Sequence, residues 1–167
     1  MSPPPRYPKS GPKRVREMEE VVVHLDGDEQ IPWIRPLSEE LLLALSHLPE
    51  TRDLGRPLEL SLVLTDDASI RKLNAQWRDR DVATDVLSFP LEEGPLLGDV
   101  VISMDTAQSR VSEPDWLLED EVLFLLIHGV LHLLGHDHIA PGERSRMESA
   151  EQALWTALGR TGTLRAD

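Results

Sequence analysis

At 167 residues, with 40% hydrophobic and 28% charged side chains, the chain has the size and composition of one globular domain around one core. Cysteine is absent, which excludes a disulfide framework, fits a reducing compartment and leaves nitrogen and oxygen as the metal donors. A formal net charge of −13 excludes a generic polyanion binder, so any nucleic acid must be held by a local patch.

Residues 1–16 hold five cations, five prolines and no acid. They read as a disordered, basic, Pro-rich tail, solvated rather than an arm for RNA phosphates, ahead of a single domain over residues 17–167. No apolar run reaches the length of a membrane span, and the first residues lack the apolar core of an export signal. The expectation is a cytoplasmic protein with no membrane partner.

In chain order, Glu20–Leu25 is β-branched and predicts a strand, closed by a turn at Asp26-Gly27-Asp28. Ser38, followed by two acids, predicts a helix start, with the helix running through Leu41–Leu48 to Pro49. Leu58–Thr65 alternates as a strand does. Asp66 or Asp67 then caps a helix reaching about Trp77, with Ile70, Leu73 and Trp77 on one face. A polar connector, Arg78–Ala83, leads to a strand Asp85–Phe89 stopped by Pro90. A loop Glu92–Pro95, a strand Gly98–Met104 and a short helix Thr106–Val111 follow. The long helix Trp116–Leu134 is apolar all round near Val122–Ile127 and should be buried. Glu143–Leu158 closes the chain as an amphipathic helix with Met147, Ala150, Leu154 and Leu158 on one stripe. Four strands among about five helices, without steady βαβ alternation, predict an α+β fold.

Four of the six histidines fall between His128 and His138. His128 and His132 are one helical turn apart, roughly 5–6 Å between Cβ atoms, so both imidazoles reach one ion at about 2.0–2.1 Å. Gly135 can take a positive φ, end the helix and return His138 to the same ion. Three neutral nitrogens leave a fourth tetrahedral position open, as catalytic zinc sites do. A closed structural site needs a fourth protein ligand, and only His136, Asp137 or a distant carboxylate is available. Three imidazoles would also suit nickel or cobalt. The spacing is shared with metzincin proteases, which carry a Glu base directly after the first His. Here that residue is Gly129, so a peptidase, or another metal-dependent hydrolase, would need its base from Asp137 or a remote acid.

The run His128-Gly129-x-Leu131-His132-Leu133-x-Gly135-x-Asp137-His138 resembles the signature of the YbeY endoribonuclease family. Three further blocks resemble that family in the same order: Leu73-Asn74-x-x-Trp77-Arg78, Thr84-Asp85-Val86-Leu87-Ser88-Phe89-Pro90 and Gly98-Asp99-x-x-Ile102-Ser103. The resemblance implies a single α+β domain with a mixed, roughly four-stranded sheet and one Zn2+ at the floor of a cleft. It implies a metal-dependent, single-strand-specific endoribonuclease in rRNA processing, with 3′-end maturation of 16S rRNA and ribosome quality control as its roles. The implied partners are single-stranded RNA and the small ribosomal subunit, with no DNA. It carries His128, His132 and His138 over as metal ligands and Arg78 as the catalytic cation. Asp137 and His136 are expected to orient a ligand imidazole. Arg71, Lys72 and Arg80 are candidates for a local positive patch, with an ordinary solvated face the favoured reading. Asp85 and Asp99 are caps or site residues. The nucleophile, water or a 2′-OH, stays open. The competing non-enzymatic reading is a ribosome-associated factor with a structural metal.

Overall fold

The structure is a computed structural model that describes residues 21–27, 31–91, 93–111 and 114–165; the basic tail expected at residues 1–16 lies outside them. Strand β1 (Val22–Asp26) is followed by helix α1 (Ile34–Ser46), a short 3₁₀ turn (Pro49–Thr51) and β2 (Glu59–Thr65). Helix α2 (Asp67–Arg78), β3 (Val86–Pro90), β4 (Leu96–Ser103) and α3 (Met104–Ser109) come next, then α4 (Leu118–Leu133) and α5 (Pro141–Ala157). The four strands form one mixed sheet in the order β1-β2-β4-β3. β1, β2 and β4 run parallel, and β3 pairs antiparallel with β4 at the edge. The α+β expectation therefore holds, as do the metal-site helix and its following loop.

Alternation places Leu60, Leu62 and Leu64 of β2 and Val100 and Ile102 of β4 in the main core. Val101 points the other way and packs with Ile70 of α2 and Leu87 of β3 in a smaller cluster, so both faces of the β3–β4 half are covered. Helix α4 lies inside the main core, and Val122 through Ile127 are all buried. Its backbone approaches the sheet closely. A Cβ on Gly129 would come 2.7 Å from Val100 Cγ1, and the Ser88 hydroxyl donates to the Gly129 carbonyl at 2.8 Å. No helix among the described residues is long and apolar enough to cross a membrane.

Several boundaries move for physical reasons. Helix α1 begins at Ile34, four residues ahead of Ser38, because Pro36 sits in the first turn, where its missing N–H is no loss. Ser38 is buried inside the helix, and its hydroxyl donates back to the Ile34 carbonyl at 2.6 Å. Helix α5 likewise begins at Pro141 rather than Glu143, with proline in the first turn. β3 continues through Pro90, which pairs with Gly98; an edge strand tolerates the missing donor. Asp66 does cap α2, accepting from Ser69 N at 2.7 Å. Arg78 belongs to the last turn of that helix instead of the connector.

Candidate metal centre

The end of α4 sets the geometry. Gly135 takes φ +94°. His136 N donates to the Leu131 carbonyl at 3.0 Å and Gly135 N to the His132 carbonyl at 3.0 Å. This paired closure of a helix turns the chain back over its own last turn. His138 returns beside His128 and His132, and the three residues offer ligand nitrogens within 4.8 Å of one another.

Each ring on the helix is held from behind. His132 Nδ1 lies 2.9 Å from the His136 carbonyl. A carbonyl only accepts, so Nδ1 carries the proton and Nε2 presents its lone pair. His128 Nδ1 lies 3.2 Å from Oε2 of the buried Glu151, and donation from Nδ1–H to that oxygen sets the same orientation. The two Nε2 atoms then face each other at 3.0 Å. Lone pair against lone pair is repulsive, and a cation between them removes the conflict. Two nitrogens on one tetrahedral ion at about 2.0–2.1 Å stand about 3.3 Å apart, close to what is seen. His138 Nδ1 is buried with no hydrogen-bond partner among the described residues, an orphan that a cation satisfies. Burial first, and then the neighbouring His128, hold the His132 imidazole below its ordinary value. That keeps it neutral, which is the form a metal binds. The donor set fits a single borderline ion of the zinc type.

The histidines form one wall of a cleft of about 650 Å³. Arg78 stands on the β3 side of it. Its Nη2 donates to the Ser88 carbonyl at 2.7 Å and its Nη1 to the Trp77 carbonyl at 3.2 Å. The guanidinium rides 4.8 Å above the Phe89 ring. Among the described residues no carboxylate pairs with it, so its charge is left for a ligand. Two more cations line the cleft, Arg110 and Arg165, and each is tied to an acid. Arg110 holds Asp85 at 2.6 Å, and Arg165 grips Glu121 with two bonds of 2.9 and 2.7 Å.

The remaining expectations separate cleanly. His136 contributes its main-chain carbonyl to the site, not its ring. The Asp137 carboxylate accepts from His138 N at 2.7 Å, bracing the loop that carries the third ligand. Asp85 lines the cleft; Asp99 sits within β4 and does not. Arg71 pairs with Asp81 at 2.9 Å on the surface, and neither it, Lys72 nor Arg80 lines the cleft. The Gly129 position faces the sheet, so no carboxylate fits where a metzincin keeps its base. Glu151, Arg110 and Arg165 were not foreseen. For Glu151 a signal exists: it follows Met147 by four and precedes Leu154 by three, an acid in the middle of the buried stripe of α5.

A family model described as endoribonuclease YbeY matches residues 27–159. A curated protein of Agrobacterium fabrum named endoribonuclease YbeY is 50% identical over 110 residues, covering 62% of this chain and 66% of that protein. A namesake from Anaeromyxobacter is 50% identical over 114 residues, covering 65% of this chain and 59% of its own length. The matches thus span somewhat under two thirds of these relatives. A solution structure from Thermotoga maritima superposes with a TM-score of 0.52 at 24% identity, over 82% of this chain and 91% of that one; it supports the fold.

Proposed function

The chain belongs to the YbeY endoribonuclease family, and on that premise we propose that it is a zinc-dependent, single-strand-specific endoribonuclease. Its substrate is rRNA, its role the 3′-end maturation of 16S rRNA and ribosome quality control, its partner the small ribosomal subunit and its place the cytoplasm. One observation carries the reading. Three imidazoles converge within 4.8 Å in a cleft whose other side offers Arg78, a cation without a carboxylate partner among the described residues.

His128, His132 and His138 would hold the ion, which when bound supplies Lewis acidity toward a phosphoryl group. The His136 carbonyl and Glu151 lie against Nδ1 of the two helix rings and so fix their tautomer and aim. Arg78 binds non-bridging phosphate oxygens, where charge grows as the P–O bond breaks. Its contacts with the Ser88 carbonyl and the Phe89 ring fix the guanidinium before substrate arrives. Asp137 braces His138 through its amide. An open cleft, rather than a fourth protein ligand, favours catalysis over a purely structural metal.

The test compares purified protein with His132→Ala and Arg78→Ala on a single-stranded rRNA fragment and on casein, with metal content determined for each. RNA cleavage should vanish with the metal in His132→Ala. It should fall on the order of 100-fold or more in Arg78→Ala, with metal retained. A 5′-phosphate product indicates attack by water, and a 2′,3′-cyclic phosphate indicates attack by the 2′-OH. Casein cleavage with RNA untouched would sink the reading.

A further inference from the structure

Trp77 does not do what its position in the helix predicts. With Ile70 and Leu73 it forms the apolar stripe of α2, which should bury it. Ile70 is fully buried, yet Trp77 is 59% exposed. The cluster beneath α2 closes with Ile70, Leu87 and Val101, helped by Val63, Leu73 and Phe89, without the indole. Tryptophan is normally among the most valuable core residues, so a solvent-facing indole in an ordered helix is a local rule broken, as functional positions often are.

Its surroundings say what the indole is placed for. The ring meets Phe89 edge-on, with centroids 6.4 Å apart and planes at 71°. Phe89 carries the Arg78 guanidinium on its face at 4.8 Å. Arg78 donates to Ser88, and Ser88 donates to Gly129, the neighbour of His128. One continuous set of contacts therefore runs from an exposed indole, past a cation lacking a carboxylate partner among the described residues, to the metal ligands. A flat apolar surface beside a phosphate-binding arginine matches a nucleobase attached to its phosphodiester. In a duplex both faces of a base are covered by its neighbours; only an unpaired base has a face to offer.

We propose that Trp77 is a stacking platform for an unpaired nucleobase flanking the phosphate held by Arg78, and that it contributes selection of single strands. The inference rests on the ribonuclease reading above and adds to it a specificity residue. Trp77 touches the substrate away from the reacting atoms, so its loss should appear in KM and hardly in kcat.

The experiment uses the metal-loaded protein, a labelled single-stranded 12-nucleotide RNA, and the same RNA with one abasic nucleotide walked along it. Trp77→Ala should raise KM for the intact RNA about 5- to 150-fold, the worth of one base stack. Trp77→Phe should keep most of the affinity. Trp77→Leu, which retains apolar bulk against Phe89 without a π face, should behave like the alanine variant. In the wild type one abasic position should reproduce the loss, and at that position Trp77→Ala should add nothing further. Equal KM for wild type and both the alanine and leucine variants overturns the inference while the ribonuclease reading stands. Losses that add in full at every abasic position overturn it too, assigning Trp77 to the fold or to a protein partner. A wild type that neither binds nor cleaves the RNA overturns both.

Discussion

Among the described residues two glutamates are buried, one on each of the two longest helices, and they are put to opposite uses. Glu121, at the start of α4, is completely buried. It receives two bonds from Arg165 at 2.9 and 2.7 Å and one from Trp116 Nε1 at 3.0 Å, with Arg110 at 3.7 Å. Glu151, on α5, is 2% exposed and faces the His128 ring at 3.2 Å. A guanidinium never gives up its charge, so the first contact is a closed pair that pins the C-terminal segment to the cleft wall. An imidazole has two states and two working nitrogens, so the second contact decides what its far nitrogen can do. Burial alone does not reveal a buried acid's job; its partner's chemistry does.

The sharpest way to break this contrast is Arg165→Ala. It leaves the Glu121 carboxylate buried with its best partner gone, which should cost about 3 kcal/mol, the low end for a severed buried pair because the guanidinium is itself partly exposed. In a chain of this length that lowers Tm by about 6–12 °C, while metal affinity should not change. Glu121→Ala should cost less, because Arg165, with its side chain 43% exposed, can turn to water, and Arg110 keeps its contact with Asp85. Equal losses from the two would show that the carboxylate is not the group at risk.

Glu151→Ala should act the other way. Removing the group behind a metal-binding histidine typically lowers metal affinity about 10- to 100-fold, and a competition titration against a zinc chelator reads this directly. Glu151→Gln keeps an acceptor oxygen and should recover part of the loss. Unchanged affinity in both variants would make Glu151 a second closed pair and erase the distinction.

What was readable beforehand follows the same line. Local chemistry was legible: the His128–His132 spacing, the Gly135 stop and the Asp66 cap each act within one turn of helix. Four strands and their mixed sheet followed from alternation and from the blocks that resemble the family. What escaped depends on where the chain returns. Arg165 stands 44 residues beyond Glu121, and Arg110 meets Asp85 across 25 residues. Glu151 was visible as an acid in an apolar stripe, but its partner on α4 was not. Spacing put Trp77 on one face of α2 with Ile70 and Leu73, and packing leaves it outside the core. Ser38 has the residue type of a cap, but the helix starts at Ile34, with Pro36 in its first turn.

Gly129 lies between the two ends of α4, and its replacement tests whether they are mechanically joined. In an exposed helix Gly→Ala gains about 1 kcal/mol from propensity. Here the added Cβ would meet Val100 Cγ1 at 2.7 Å and the Ser88 hydroxyl at 3.2 Å, and overpacking a close contact costs about 1–3 kcal/mol. The clash should win narrowly, for a net loss of about 1 kcal/mol, the smallest of the three effects on stability or binding. The accommodation is more informative than its size. Ser88 bonds both the Gly129 carbonyl and, through its own carbonyl, Arg78. A helix pushed off the sheet therefore moves the histidines and the arginine relative to each other. Gly129→Ala should lower RNA cleavage by more than its stability loss accounts for, with metal affinity little changed and the Arg165–Glu121 contact intact. A variant as active as the wild type would show that the cleft tolerates this shift, and that α4 and β3 position their side chains independently.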